Sequence, residues 1–228
     1  MSTSPPSESA ETDLFVVPKT VIRDREAHIL EQCQDRTVLH LGCCDHPFTH
    51  EAIESGRWLH GRIADTAKVL IGLDLSEEGL SVCRQLGRDE NIVLGDACRI
   101  DALPHAPFER IVAGEIIEHV PNPGEMLVNM RRFLTPDGRL IITTPNAFSL
   151  RKQLRVMAGK ESVHRDHVCY FSHRTLEQLL RMSGYEVTFQ ANVALHDHVP
   201  WFSRTLERIA SMMSSAVLEG LYVEARPA

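Results

Sequence analysis

Three short apolar segments decide the fold: residues 38–42 (VLHLG), 69–74 (VLIGLD) and 91–96 (NIVLGD). Each segment ends on a glycine or an acidic residue. Continuous apolar runs of this length are typical of parallel strands that are buried on both faces. Ligands of open α/β sheets bind in the crevice where such strands end. We therefore expect Gly42, Asp74 and Asp96 to lie together at one nucleotide-binding crevice.

The rest of the chain continues the alternation of strands and helices. The remaining strands are predicted at 109–114, 138–144, 185–193 and 221–226, and the first strand of the sheet at 37–41. The predicted helices cover 21–33, two short helices within 48–68, 175–183 and 201–218, and residues 14–17 form a short strand or an anchor. Since crossover helices join the early strands, the pattern predicts an α/β fold with a mostly parallel sheet.

Composition argues against two classes of partner. The chain has 228 residues and a formal net charge of −7, which argues against binding to nucleic-acid phosphates. Its apolar runs are too short to span a membrane, and residues 1–12 lack the apolar core of a signal peptide. We therefore expect a disordered tail at 1–12, a single domain at 13–228 and a cytoplasmic location. The six cysteines are expected to be reduced, with Cys43 and Cys44 packed in a turn.

A later segment is the most specific one. Residues 108–123 (FERIVAGEIIEHVPNP) join an apolar strand to the string EHVP at 118–121. Residues 133–146 (FLTPDGRLIITTPN) then give a helix end, a turn and the next strand. Together with the three strand ends, these segments resemble the class I S-adenosylmethionine-dependent methyltransferases. The resemblance is to the branch that methylates oxygen atoms of small molecules and glycans.

The resemblance covers residues 36–190 and has consequences for the fold. It implies a Rossmann-like, doubly wound, mostly parallel sheet of seven strands with an antiparallel C-terminal strand. Residues 196–228 are expected to add a helix and the last strand. The Met-rich face of that helix is expected to pack on the sheet, with a lid over the acceptor or a contact in a homodimer as alternatives.

The resemblance also implies a binding site for S-adenosylmethionine. Gly42 is expected to face the methionine part of the cofactor. Asp74, with Leu75 beside it, is expected to bind the ribose hydroxyls, and a helix cap is the alternative role for this acid. Asp96 and the backbone amide of Ala97 are expected to contact the adenine ring.

The first loop departs from the pattern of this family. Cys44 and His46 replace two of its three usual glycines, and His40 stands at the position of the usual acid. Either His40 or Asp45 is expected to take over the role of that acid. Asp45 is also expected to cap the following helix. Glu115, which follows the fourth strand of the pattern, is a further candidate cofactor contact.

Methyl transfer to a hydroxyl requires a group that accepts the proton of the acceptor. His119 is a candidate for this base because imidazole titrates near neutral pH and the residue closely follows a strand. An alternative is that His119 only packs against the neighbouring helix or caps it. Glu118 is expected to contact the substrate or to hold the tautomer of His119.

Residues 164–172 (HRDHVCYFS) resemble the substrate-facing loop of the family. His167 is the second candidate catalytic residue, and His164 and Asp166 are expected to bind the acceptor. Two imidazoles and a carboxylate also suit a divalent ion such as Mg²⁺ or Zn²⁺. This alternative is not favoured, and no residue is assigned as a metal ligand.

The predicted activity is transfer of a methyl group from S-adenosylmethionine to a hydroxyl of a sugar, a glycan or another small molecule. The polar acceptor region and an aromatic content of 6% favour a polyol. One alternative acceptor is a phenol, a quinone precursor or a polyketide. A second alternative is a non-catalytic binding or scaffold protein with a degenerate methyltransferase fold.

Overall fold

The computed structural model describes residues 14–194, 205, 210–212 and 214–228. Its helices are α1 (Arg25–Cys33), α2 (Thr49–Glu54), α3 (Leu59–Ala64), α4 (Glu77–Gln85), α5 (Pro123–Arg131), α6 (Leu150–Met157) and α7 (His173–Met182). Its strands are β1 (Val21–Ile22), β2 (Thr37–Leu41), β3 (Val69–Asp74), β4 (Ile92–Leu94), β5 (Phe108–Gly114), β6 (Leu134–Pro145), β7 (Tyr185–Val193) and β8 (Gly220–Pro227). Short 3₁₀ helices lie at Ile117–His119 and Ser215–Val217.

The eight strands form one sheet in the order β1-β7-β8-β6-β5-β2-β3-β4. β8 runs antiparallel to both of its neighbours, and the other neighbouring pairs are parallel. The strand order reverses direction at β2, from which the chain proceeds outward through β3 and β4 and then returns to β5. This confirms the α/β class, the mostly parallel sheet and the antiparallel C-terminal strand that the sequence predicts.

The eighth strand was not predicted. β1 contains only two residues, and it pairs with Asn192 and Val193 at the edge formed by β7. The sequence places these residues within a helix, but α1 begins later because Asp24 caps it by accepting a hydrogen bond from the Ala27 N–H. Two apolar residues before a cap have too little periodicity to distinguish a strand from a helix.

Both faces of the sheet are buried, as the continuous apolar runs predict. Alternate residues of one strand serve opposite faces. Leu39 and Leu41 of β2 pack on the face covered by α5 and α7, whereas Val38 packs on the face covered by α1 and α3. Ile111 and Val112 of β5 divide between the faces in the same way. The sheet therefore has helices on both faces, which leaves the carboxyl ends of its parallel strands accessible to a ligand.

The predicted bounds hold for β2, β3 and β7, and they differ elsewhere. β6 starts at Leu134 because that residue pairs with Phe108 before a register shift in the ladder. Residues 14–17 form neither strand nor helix. The predicted tail, and the predicted helix at 201–218 apart from a few positions, lie outside the described residues. Among the described residues, no helix is long and apolar enough to cross a membrane.

Candidate active site

The site is built at the carboxyl ends of β2, β3, β4 and β5. Gly42 directly follows β2, and its N–H donates a hydrogen bond to the Leu73 carbonyl of β3 at 2.9 Å. Its φ of +67° is left-handed, and an added Cβ would lie 3.0 Å from Cδ1 of Ile116. A glycine is therefore needed here both for the backbone conformation and for the close approach of the loop after β5.

Asp74 connects two loops of the site. Its Oδ2 accepts a hydrogen bond from the Cys44 N–H at 2.8 Å, and its Oδ1 accepts one from the Ser76 N–H at 2.9 Å. Ser76, not Asp74, caps α4, because its hydroxyl accepts the Gly79 N–H at 2.9 Å. The alternative role of Asp74 as the helix cap is thus wrong. The half-buried carboxylate keeps further lone pairs for a ligand at the crevice.

The next strand end places Asp96 beside the same crevice. The Gly95 N–H donates to the Asp74 carbonyl at 2.8 Å, which holds the two strand ends side by side. Asp96 Oδ1 accepts the Cys98 N–H at 2.8 Å, and Ala97 is partly buried against the core. Leu75 projects outward with 70% of its surface exposed. These are the positions from which adenine and ribose contacts are expected.

His40 has a buried environment that favours packing over a cofactor contact. Its Nδ1 lies 3.3 Å from Nδ1 of His60, and the two rings are stacked. Burial, with the neighbouring His60 as a smaller cause, lowers the pKa of His40 well below its usual range. Burial also lowers the pKa of His60 to about 4. Both imidazoles are therefore neutral, and one Nδ1–H can donate a hydrogen bond to the other Nδ1.

The loop after β2 is built differently from the predicted turn. Asp45 has a φ of +55°, and its carbonyl accepts the Phe48 N–H at 2.8 Å. α2 begins only at Thr49, and no side chain caps it, so the prediction that Asp45 caps this helix is wrong. Cys43 and Cys44 are buried free thiols, and the Cys43 carbonyl accepts the Trp58 indole N–H at 2.7 Å. The two cysteines thus pack in the turn, as predicted.

Glu115 lies after β5 in a left-handed conformation, with φ of +53°. Its carboxylate pairs with the Arg25 guanidinium of α1 at 3.0 Å. This contact spans 90 positions in the chain, and sequence patterns give no sign of it. Arg25 is therefore a residue of the site that sequence reasoning missed, and it orients the acid that was predicted to meet the cofactor.

Glu118 points into the protein. It is only 2% exposed, and its Oε2 accepts a hydrogen bond from the Thr144 hydroxyl of β6 at 2.9 Å. Its Oε1 is buried without a hydrogen-bond partner among the described residues. Burial, with the nearby Glu115 charge as a smaller cause, raises the pKa of Glu118 to about 8. The predicted role of holding the His119 tautomer is not supported, since the carboxylate is bonded to Thr144.

Replacing Glu118 with Gln is expected to stabilise the protein more at pH 8 than at pH 5. Between the ordinary pKa of 4.5 and the folded value of about 8, the folded state retains a proton that the unfolded state releases. Wild-type stability therefore falls as the pH rises through this window, and a neutral Gln removes that dependence. The difference in unfolding free energy between variant and wild type should grow by about 2–4 kcal/mol from pH 5 to pH 8.

Urea unfolding at several pH values measures this difference. Glu186→Gln is the control, because Glu186 is a mostly exposed acid of β7 paired with Arg226. A pH-independent difference for Glu118→Gln would contradict a raised pKa at this position.

Three imidazoles meet beside Glu118. We call His119, His164 and His167 the histidine cluster. Ring centroids lie 4.5 Å apart for His119 and His167, 5.8 Å for His119 and His164, and 5.5 Å for His164 and His167. Asp166 is exposed, with a carboxylate oxygen 3.6 Å from Nδ1 of His164. The structure thus unites both candidate catalytic histidines with two of the predicted acceptor-binding residues.

Lys152 is a second residue that sequence reasoning missed. Its ammonium donates to the Asn146 carbonyl at 3.0 Å and lies 5.5 Å from the ring centroid of Tyr170. Burial lowers the pKa of Lys152, and the glutamates around it oppose that shift. Its position on α6 carries no motif, and only the fold brings its charge close enough to His167 to help lower the pKa of that imidazole.

The comparisons with known proteins agree with this geometry. A methyltransferase domain family matches residues 19–190, which is most of the chain. The protein named "Probable S-adenosylmethionine-dependent methyltransferase" of Mycolicibacterium smegmatis is 26% identical over 179 residues, covering 78% of this chain and 62% of that protein. A ubiquinone biosynthesis O-methyltransferase of Coxiella burnetii is 27% identical over 111 residues, covering 47% of each chain. This chain thus spans about half to three fifths of the length of these relatives.

A solved structure shares the fold. Magnesium protoporphyrin IX methyltransferase of Synechocystis, solved with bound S-adenosylhomocysteine, superposes with a TM-score of 0.59 and 12% sequence identity. The alignment covers 89% of this chain and 82% of the other. These findings confirm the family and the Rossmann-like fold expected from the sequence. The chain belongs to the class I S-adenosylmethionine-dependent methyltransferase family.

Proposed function

We propose that this protein transfers the methyl group of S-adenosylmethionine to a hydroxyl oxygen of a small molecule. The observation that supports an oxygen acceptor is the histidine cluster, in which His164 and His167 meet His119 shortly after the end of β5. Burial, with the two neighbouring histidines as smaller causes, lowers the pKa of His167 below its usual range. A neutral imidazole is therefore present near pH 7 to accept the proton of a hydroxyl.

The reaction needs only displacement and proton transfer. The acceptor oxygen forms a bond to the methyl carbon while the carbon–sulfur bond breaks, and sulfur keeps the electron pair. S-Adenosylhomocysteine is the product, and His167 or His119 takes the acceptor proton. Alignment of the two reactants supplies much of the acceleration in a reaction of this kind.

The cofactor half of the proposal rests on three strand ends. Gly42 permits a close backbone approach, and the Asp74 and Asp96 carboxylates lie on adjacent strand ends beside it. An acidic crevice also suits the positive charge of a sulfonium. We assign ribose binding to Asp74 and adenine recognition to Asp96 with the Ala97 amide.

The acceptor is proposed to be a sugar or glycan hydroxyl, because polar side chains surround the histidine cluster. Asp166 and Lys152 offer a hydrogen-bond acceptor and a donor there. A phenolic quinone precursor is the second candidate. The names of the ubiquinone biosynthesis relatives favour it, and so does the 43% exposed ring of Tyr170, which contacts the Lys152 ammonium.

We place the enzyme in the cytoplasm. All six cysteines are free, and four of them are buried, which fits a reducing compartment. Small molecules are the proposed partners, with no nucleic acid, and a homodimer stays a proposal.

Calorimetry with S-adenosylmethionine and S-adenosylhomocysteine tests the cofactor half. A saturable heat with one ligand per chain is the expected result, and absence of binding at millimolar ligand would overturn the proposed function. A screen with a radiolabelled methyl donor then compares sugars with catechols and other phenols. Label transferred only to amines or carbon acids would contradict the hydroxyl acceptor.

A further inference from the structure

The histidine cluster has the geometry of a metal site. One nitrogen from each of His119, His164 and His167 lies within 4.8 Å of the other two. The nitrogens of a tetrahedral zinc site lie about 3.4 Å apart for zinc–nitrogen bonds of about 2.1 Å. Small side-chain rotations are therefore enough to bring three imidazoles onto one ion.

Backbone contacts fix the two segments that carry these rings. The Glu118 carbonyl accepts the Val168 N–H at 2.9 Å and the Cys169 N–H at 3.2 Å. The His167 N–H donates to the His164 carbonyl at 3.0 Å. The loop is thus tied to the 3₁₀ helix of His119, and the rings stay together without a metal ion.

Among the described residues, the rings have few competing partners; the Nδ1 of His164 accepts the Asp166 N–H at 3.4 Å, which leaves its Nε2 for a metal ion. His164 has the nearby Asp166 carboxylate, which suits a role as an outer partner that orients a metal-bound imidazole. His119 and His167 are half-buried, and His164 is exposed, so an ion can enter from solvent.

We propose that His119, His164 and His167 bind one divalent transition-metal ion of the zinc class. Imidazole nitrogens favour Zn²⁺, Co²⁺ or Ni²⁺ over Mg²⁺, which prefers oxygen ligands. Three protein ligands leave the fourth position of a tetrahedral ion free for water or an acceptor oxygen. The sequence leaves Mg²⁺ and Zn²⁺ open as ions for two imidazoles and a carboxylate, and the third imidazole favours Zn²⁺.

A second group also has possible ligand atoms within 4.8 Å of one another: Cys43, Cys44 and Asp74. It is a poorer candidate, because the proposed function assigns the remaining lone pairs of Asp74 to the ribose of the cofactor. A hydrogen bond with Cys43 and burial also raise the pKa of Cys44, which keeps that thiol protonated. The thiolate is the form that binds metals.

If the proposed function is correct, the bound ion takes over from the imidazoles as the group that activates the acceptor hydroxyl, because a ring nitrogen that binds the ion cannot accept a proton. An acceptor hydroxyl in the open position loses its proton to solvent more readily than a free hydroxyl, as water on zinc does. Acceptors with two adjacent hydroxyls are then preferred, because the second oxygen can enter a five-coordinate shell.

Metal binding is tested on the full chain without a histidine tag. After chelator treatment, the protein is titrated with Zn²⁺ by calorimetry and with Co²⁺ by visible absorption. One ion per chain is expected, and His164→Ala and His167→Ala should each weaken binding at least about 100-fold, since loss of an outer partner alone costs about 10–100-fold. His50→Ala, at a mostly exposed histidine of α2, is the matched control and should bind like wild type.

Three outcomes overturn the inference: no zinc binding by wild type, equal binding by the cluster variants, or a sulfur-to-cobalt charge-transfer band that places the ion at the cysteines. Calorimetry with S-adenosylmethionine on the same chelator-treated samples separates this from the proposed function. Cofactor binding without zinc binding refutes the metal site alone. Zinc binding without cofactor binding refutes the proposed function alone.

Discussion

Asp74→Ala should weaken S-adenosylmethionine binding at least about 100-fold. Each hydrogen bond to a charged group contributes about 1.5–3 kcal/mol, and each 1.4 kcal/mol is a tenfold change in affinity. The loss of two ribose contacts alone therefore accounts for this factor. The variant also leaves the Cys44 and Ser76 N–H groups without the carboxylate that accepts their hydrogen bonds at 2.8 and 2.9 Å. Both effects act on the cofactor crevice.

Asp74→Asn separates the two effects. Its amide oxygen still accepts one of the two backbone hydrogen bonds, but it lacks the charge that strengthens contacts with the ribose. We expect near wild-type thermal stability with clearly weaker cofactor binding. Asp101→Ala is the control, because that side chain is 95% exposed. Unchanged cofactor affinity in both Asp74 variants would show that the carboxylate only stabilises the loop backbone and does not contact the cofactor.

The strand ends were predictable because their signal is local. Three apolar runs, each closed by a glycine or an acid, identify parallel strands and the edge at which they end. The structure places Gly42, Asp74 and Asp96 at that edge, one after another across β2, β3 and β4. β1 escaped prediction because a two-residue strand exists only through its pairing with β7.

The candidate site was predictable only in part. Patterns identified the histidines singly, but His119 and His164 are 45 positions apart, and the loop closure that joins them depends on the Glu118 carbonyl. Glu118 itself was expected at the substrate, yet it is buried against Thr144, because the register of β6 brings that hydroxyl to the strand end. Arg25 and Lys152 lie on helices whose sequence patterns indicate amphipathic helices but do not mark either residue as part of a site.

The second large expected effect is on the reaction rate, because the neutral imidazole of His167 is proposed to accept the acceptor proton. His167→Ala should lower kcat by about 10²–10⁴-fold, the usual contribution of a positioned acid or base. Cofactor affinity should be almost unchanged, because the proposed function assigns cofactor binding to Gly42, Asp74 and Asp96 and gives His167 a role only in proton transfer. His50→Ala serves again as the control for the loss of a histidine.

The pH dependence identifies what His167 does. A proton-accepting His167 with a pKa below 6.5 makes the wild-type rate rise with pH and level off below neutrality, and His167→Ala should remove that rise. His119→Ala in the same background tests whether the two rings act as a unit, since the double variant should then lose little more than either single variant. An unaltered kcat in both single variants would exclude the cluster from proton transfer.

The rates of chelator-treated and zinc-loaded enzyme distinguish a proton-accepting His167 from a metal-binding one. The same ring nitrogen cannot bind an ion and accept a proton, so the two roles predict opposite behaviour. If His167 acts as a base, zinc should inhibit wild type, and His167→Ala should be slow in both states. If His167 acts as a ligand, zinc should activate wild type, and the variant should differ from it only in the loaded state.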